Sequence, residues 1–243
     1  KQLALACKPI LERFIQERKE FPVFEPVSEQ MQLRELYNAS FALLAQVDKE
    51  YAQLLCQRYI SADNFNDRMA AFVGCVLAGG QTREFAVQDF HEKWKNDKAV
   101  FNYWLSAQAY AATCQVEDLI ALESAEGFDQ KNPNHIRSVV RAFTTNLGCY
   151  HDAEGRGYRY VVDKILEVST FNPALAHNYL AGPALQDFDH LPPGQQALMA
   201  QEMERLRRDG TAPPQTRDLV DRILKRYEIK NTPQSSSWGV SSL

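Results

Sequence analysis

The residue pattern closest to a metal-binding motif in this sequence is His91-Glu92-Lys93-Trp94-Lys95. A helix that binds catalytic zinc uses H-E-x-x-H, because two histidines four residues apart lie on one face and can share the ion. Here the fifth position is Lys95, whose positive charge would repel a metal. We therefore interpret the segment as an ordinary helix surface with Trp94 packed inward.

The other polar motifs do not form a recognisable catalytic set. His151, near Asp152 and Glu154, could act as a proton-relay group, but a structural histidine at a helix junction is the simpler interpretation. Gly155-Arg156-Gly157 is too short to cradle a phosphate and lacks the following Lys and Ser/Thr, so we interpret it as a turn between helices. The histidines, at positions 91, 135, 151, 177 and 190, lack the spacing of metal ligands. The sequence thus predicts no catalytic residue and no metal ligand in this chain.

The densest aromatic cluster is Phe101, Tyr103 and Trp104. Such a cluster could stack on a ligand, but aromatic residues in helical chains mostly fill the core, and we interpret all three in that way.

Charge and hydropathy exclude two classes of partner. The formal net charge is −4, and no concentrated basic surface is present to bind a phosphate backbone. Glu204 and Arg208 form an i,i+4 pair, typical of a solvated helix face. No apolar run approaches the roughly 20 residues that span a bilayer. The sequence therefore predicts neither a nucleic-acid nor a membrane partner.

Cysteine usage favours a reducing compartment. The chain has five cysteines, an odd number, at positions 7, 56, 75, 114 and 149, and no two of them form a C-x-x-C pair. Free thiols are the simplest account, although a disulfide with one cysteine left over is an alternative. The predicted location is therefore cytoplasmic or unknown, because a targeting signal can lie outside the chain. Residue 1 is Lys rather than Met, which suggests a piece of a longer protein.

The elements that must position any site are helices. Apolar residues recur with the helical i, i+3, i+4, i+7 spacing over 69–77, 158–166 and 219–227, and the same face is formed by Ile136, Val139, Val140, Phe143 and Leu147. No segment shows clean period-2 alternation between turn residues, so strands are not expected. The sequence predicts an all-α fold.

Capping residues divide this pattern into short helices. Asn132-Pro133 and Asn172-Pro173 each place an N-cap before a proline at the first helical position. Thr82 with Glu84 indicates another start, and Gly79-Gly80 an end. Many short antiparallel helices predict a superhelical stack of helix pairs, an α-solenoid of the HEAT or armadillo kind. We predict one helical domain over 1–231 and a Ser-rich tail over 232–243, in which Trp238 is the residue able to dock.

Several segments, in order, resemble the C-terminal helical domain of the aminopeptidase N (alanyl aminopeptidase) family of zinc metallopeptidases. The matching residues run from about 34 to about 206. They are Asn64-Phe65-Asn66-Asp67 with Ala70-Ala71 (family N-M-T-D-x-x-A-A), Glu92-Lys93-Trp94 ([DE]-K-W), Asn132-Pro133-Asn134-His135-Ile136-Arg137-Ser138 (N-P-N-R-[IV]-R-[SA]), Tyr150-His151 with Gly155-Arg156-Gly157-Tyr158 (F-H-x-x-D-G-S-G-Y), Asn172-Pro173 and Gln195-Gln196-Ala197-Leu198-Met199.

The chain departs from the family pattern at several positions. His135 replaces a basic Arg, Glu154 the usual Asp and Arg156 the usual Ser. Asn178 stands where some members carry an Arg near the substrate channel, which puts the charge pattern of the channel in question.

The resemblance implies a function for the whole protein rather than for this chain alone. The zinc ligands and general base would lie in an upstream catalytic domain of the same polypeptide, and the helical domain would close over it, leaving a channel for peptide substrates. The full enzyme would remove N-terminal residues through zinc-activated water, whereas this chain alone would be inactive and hold no cofactor. Arg137 matches the second basic position of its motif and is the substrate-channel candidate; a structural ion pair is the alternative role. The alternative function is a non-enzymatic helical-repeat scaffold that binds protein partners.

Overall fold

Helices connected by turns and loops make up the part of the chain that the structure, a computed structural model, describes: residues 1–17, 25 and 27–231. Within these residues no strand is present, which confirms the predicted all-α class. None of the helices in the described part is long and apolar enough to cross a bilayer. The predicted tail and Trp238 lie outside the described residues.

The chain divides into two compact units, the first being Lys1–Gln130 and the second beginning at Lys131. The helices of the first unit are α1 (Gln2–Gln16), α2 (Ser28–Ala45), α3 (Lys49–Ser61), α4 (Phe65–Ala78), α5 (Gly80–Trp94), α6 (Lys98–Ala109) and α7 (Val116–Glu123). Those of the second are α8 (Pro133–Thr145), α9 (Leu147–Tyr150), α10 (Arg156–Ser169), α11 (Pro173–Leu175), a π-helical turn (Ala176–Ala181), α12 (Gly182–Leu185), a 3-10 turn (Phe188–His190), α13 (Pro193–Arg208) and α14 (Pro214–Asn231). The single domain over 1–231 stays a prediction.

Aromatic side chains form the centre of the first unit. Phe90 of α5 is fully buried, and its ring lies 4.2 Å from that of Phe72 on α4 and 4.4 Å from that of Trp94, centroid to centroid. Tyr59 of α3 is also buried, and its hydroxyl donates to Asp89 at 2.6 Å. These contacts tie three helices together, because each aromatic ring removes a large apolar area from water.

The second unit is built around the predicted apolar faces of α8 and α10. Ile136, Val139, Val140 and Phe143 are all buried, and the ring of Phe143 meets that of Tyr160 edge-on at 5.8 Å. Leu147 was the fifth member of the predicted α8 face, and this assignment is wrong: it is 58% exposed. The reason is that α8 ends at Thr145, so Leu147 begins the next helix instead of continuing the stripe.

Most of the predicted helix boundaries are confirmed. The side chain of Asn132 accepts from the N–H of Asn134, and that of Asn172 from the N–H of Leu175, as expected of N-caps. The start predicted at Thr82 is wrong, because α5 already begins at Gly80. Gly79, at φ +81°, both ends α4 and precedes α5, a left-handed conformation that glycine adopts without strain.

The junction before α10 is held by a close backbone approach. Gly155 adopts φ +70°, and the N–H of Gly157 donates to Asp152 at 2.8 Å. A Cβ on Gly157 would lie only 2.4 Å from the carbonyl oxygen of Tyr150. The predicted turn between helices is confirmed at Gly155, which precedes α10, but its extension over Arg156 and Gly157 is wrong, because α10 already begins at Arg156. Gly157, in the first turn of that helix, is the residue that permits the approach.

The π-helical turn has a local cause in the sequence. The N–H of Gly182 donates to the carbonyl of His177, five residues earlier, instead of four as in an α-helix. Pro183 follows, and a proline has no N–H and clashes with the carbonyl of the residue four positions before it, here Tyr179. Widening the turn separates these groups and lets the helical path continue into α12.

A candidate substrate-facing site around Arg137

Arg137 lies in the second turn of α8, on the flank of its buried face. Ile136, which precedes Arg137, and Val140, which follows it by three residues, are buried in the core, whereas Arg137 is half-buried. Successive helical residues are about 100° apart, so Arg137 lies off the buried stripe. Asn132 and Pro133 fix the start of the helix and thereby the height of Arg137 along it.

Two neighbours hold the guanidinium of Arg137. Its Nη2 donates to Oδ1 of Asn134 at 3.1 Å, one turn back on the same helix. Its central carbon lies 5.5 Å from the ring centroid of Tyr179, within the range of a cation–π contact. Tyr179 belongs to the π-helical turn and is 42% exposed. The site therefore joins α8 to the π-helical turn through a charged, solvent-accessible contact.

The charge of Arg137 is not neutralised by the described residues. Within 1–17, 25 and 27–231, no carboxylate lies at ion-pair distance from its guanidinium. An arginine carries five N–H donors, and among the described residues its guanidinium donates one hydrogen bond, to Asn134. The arrangement can therefore accept a carboxylate, which arginine binds with two parallel hydrogen bonds.

The π-helical turn presents a second polar residue beside Tyr179. Asn178 is exposed, and the preceding His177 is anchored by a hydrogen bond between its Nδ1 and the Oγ1 of Thr216 at 3.1 Å. Arg137 and Asn178 could be singled out from the sequence, whereas Tyr179 was missed. The available signal was Pro183, which lies four residues after Tyr179 and indicates an irregular turn at that point.

The failed metal motif lies on a helix surface, as interpreted from the sequence. The ring nitrogen Nε2 of His91 is 2.8 Å from the carbonyl oxygen of Glu126, and Lys95 Nζ pairs with the Glu126 carboxylate at 2.9 Å. Trp94 packs against Phe90. Among the described residues no group of three or more His, Cys, Asp or Glu side chains could hold a metal ion.

His151 is a junction residue in the structure. Its Nδ1 lies 2.9 Å from the hydroxyl of Tyr158, which is buried on α10. Burial lowers the pKa of His151, although the nearby charge of Asp187 opposes the shift. A neutral ring bonded to a buried phenol joins the α9–α10 junction to the core, in agreement with the structural interpretation.

The aromatic cluster is mostly core. Phe101 and Trp104 are buried, and the indole N–H of Trp104 donates to the carbonyl of Val87. The assignment of Tyr103 to the core is wrong, because it is 54% exposed. It is one residue from Trp104 on the same helix, and that step turns it about 100° away from the buried face.

The sequence that forms these helices matches a known class of helical-repeat domains. The family described as "Domain of unknown function (DUF3458_C) ARM repeats" matches residues 1–225. The chain belongs to this family, and the description confirms the predicted α-solenoid class.

Within this class, the chain corresponds to the C-terminal helical domain of the aminopeptidase N family. Aminopeptidase N of Haemophilus influenzae is 30% identical over 177 residues, which cover 72% of this chain and 20% of that protein. Aminopeptidase N of Caulobacter vibrioides is 34% identical over 146 residues, 59% of this chain and 17% of that protein. The chain thus spans about a fifth of the length of these relatives.

A solved structure shows the same fold. Aminopeptidase A of Legionella pneumophila, crystallised in complex with aspartic acid, aligns with a TM-score of 0.79 at 24% identity. The alignment covers 93% of this chain and 27% of that one.

All five cysteines are free thiols in the structure, and Cys75 and Cys114 are buried. The compartment in which the protein works stays a prediction.

Proposed function

We propose that this chain is the C-terminal domain of a zinc aminopeptidase, in which it encloses the active site and shapes a channel for peptide substrates. The similarity to proteins named Aminopeptidase N supports the activity class. Enclosure limits entry to free chain ends and strengthens electrostatic interactions by excluding water. The partners under this proposal are an upstream catalytic domain of the same polypeptide and the peptide itself.

Arg137 binds a carboxylate of the peptide in this proposal. The observation that carries it is the half-buried guanidinium with no carboxylate partner among the residues described. A charge left without a counter-ion in a half-buried position is costly, and a ligand that brings the counter-ion recovers that cost. The free C-terminal carboxylate of a short peptide has the required charge and the geometry for a bidentate bond.

Zinc belongs to the part of the enzyme outside this chain under the same proposal. We expect the full-length protein to contain about one zinc per chain and to release alanine from an alanyl amide, and the chain 1–243 alone to do neither. The reason is that its described residues include no set of metal ligands. Metal analysis after purification without chelators, combined with an alanyl-amide assay, measures both.

The full-length protein and the chain 1–243 serve as controls for each other in these two assays. A helical-repeat scaffold that only binds partners would leave the full-length protein inactive, with or without added zinc. Stoichiometric zinc and activity in 1–243 alone would show that the catalytic site lies in this chain, and would contradict the proposal.

Replacing Arg137 tests the channel role. In the full-length enzyme we expect Arg137→Ala to raise KM for trialanine about five- to thirty-fold, from the loss of a charge-assisted contact of roughly 1–2 kcal/mol. KM for the same peptide with an amidated C-terminus should change much less, because that peptide lacks the carboxylate. Steady-state kinetics with the two peptides measures the difference.

Arg141→Ala is the matched control, since Arg141 lies one turn further along α8 and is exposed. It removes the same charge from the same helix and should leave the ratio of the two KM values unchanged. Equal losses on both peptides in Arg137→Ala, or a lower melting temperature with unchanged kinetics, would instead favour a structural role for Arg137.

A further inference from the structure

We infer that Tyr179 is a positioning residue that holds the guanidinium of Arg137 in the orientation needed to bind a peptide carboxylate. The inference rests on the proposed function of Arg137 and adds a residue that the sequence motif does not contain. Its geometric basis is the 5.5 Å separation between the Arg137 guanidinium carbon and the Tyr179 ring centroid.

The position of Tyr179 is set by the π-helical turn. Ala176 precedes Tyr179 in the sequence and is buried. Leu180 and Ala181, which follow Tyr179, are buried as well, so the turn is fixed against the core. The five-residue hydrogen bond from Gly182 to His177 spans Tyr179. The ring of Tyr179 is therefore carried by backbone that is anchored on both sides, although the ring itself is 42% exposed. An anchored ring can orient a flexible side chain.

Tyr179 and Asn134 restrain the guanidinium in different ways. Asn134 accepts one hydrogen bond from Nη2. The Tyr179 ring attracts the positive charge through its π electrons and accepts no conventional hydrogen bond. The remaining N–H groups of Arg137 therefore stay available for the two oxygens of a carboxylate.

Restraint matters because a free arginine side chain has many rotamers. Ordering such a side chain on binding costs free energy, and a side chain already held by its neighbours avoids much of that cost. A cation–π contact at an exposed site supplies a stabilisation of similar size. Loss of the ring should therefore weaken carboxylate binding about two- to five-fold, less than loss of Arg137 itself.

The test compares Tyr179→Leu with Tyr179→Phe in the full-length enzyme, with trialanine and its C-terminal amide as substrates. Leucine removes the aromatic face, whereas phenylalanine keeps it. We expect Tyr179→Leu to raise KM for trialanine about two- to five-fold with little change in kcat or in the amide kinetics, and Tyr179→Phe to match the wild type. In an Arg137→Ala background, Tyr179→Leu should have no further effect on the ratio of the two KM values.

The outcomes separate this inference from the function on which it rests. If Arg137→Ala leaves the ratio of the two KM values unchanged, the proposed channel role fails. If Arg137→Ala changes the ratio and Tyr179→Leu does not, only the positioning role of Tyr179 fails. An effect of Tyr179→Leu that persists in the Arg137→Ala background, or an equal effect of Tyr179→Phe, overturns the inference as well, because Tyr179 would then act independently of Arg137 or through its hydroxyl.

Discussion

Replacing Gly157 by alanine is expected to destabilise the second unit by about 3 kcal/mol, the upper part of the range for overpacking a close contact. The added Cβ would lie 2.4 Å from the Tyr150 carbonyl oxygen and about 3.1 Å from two further backbone atoms of Tyr150. A flexible side chain could move away from the added Cβ. The backbone of Tyr150 cannot do so without disturbing the hydrogen bonds on either side of it. The shift would also strain the hydrogen bond from Gly157 to Asp152. Urea denaturation followed by circular dichroism measures the loss.

Gly148→Ala is the matched control for this substitution. Gly148 is also helical, in α9, and a Cβ there would meet no atom within 4 Å apart from its chain neighbours and the backbone of its own helix. Alanine should be neutral or stabilise by up to about 1 kcal/mol, because it reduces the entropy of the unfolded chain. Similar stabilities for Gly157→Ala and Gly148→Ala would mean that the close approach at the α9–α10 junction does not exist in solution.

The second large effect is expected from Phe90→Ala, which should cost about 3–5 kcal/mol of stability in the first unit. The ring is fully buried and packs on Phe72 and Trp94. Its removal leaves a cavity lined by side chains of different helices. These helices cannot all shift inward to fill the cavity, so the lost contacts are not replaced.

Phe85→Ala on the same helix supplies the control. Phe85 is 43% exposed, so its removal forfeits less buried area and opens no enclosed cavity. We expect a loss of about 1 kcal/mol or less. Equal losses at the two positions would contradict the placement of Phe90 at the centre of this unit.

Gly157→Ala and Phe90→Ala together test the prediction of a single domain over 1–231. If the chain unfolds as one cooperative unit, both substitutions shift the same transition. If the two compact units unfold separately, each substitution shifts one transition and leaves the other in place.

Local chemistry explains why much of this fold could be predicted from the sequence. The apolar face of α8 and the caps at Asn132 and Asn172 depend on residues within a few positions of one another, and the structure contains them. Leu147 and Thr82 were misplaced by small errors at helix ends, where the helical period gives no information about where a helix stops.

The candidate site was only half predictable for a related reason. Arg137 could be singled out because it lies in a recognisable motif on a regular helix. For Tyr179, Pro183 signals an irregular turn nearby but not the contact with Arg137, which joins segments about forty positions apart. Periodicity assumes 3.6 residues per turn, and that assumption fails where Pro183 requires a wider one.

The π-helical turn also has a consequence for how this surface can change in evolution. A π-turn contains one residue more than the α-helical turn that it replaces. A homologue that lacks one residue between 176 and 181 could therefore close the turn into an α-helix and still present its flanking apolar residues to the core. The residue opposite Arg137 would then be a different one. We expect alignments of this segment to require a one-residue gap, and the residue facing Arg137 to vary between homologues even where Arg137 itself is retained.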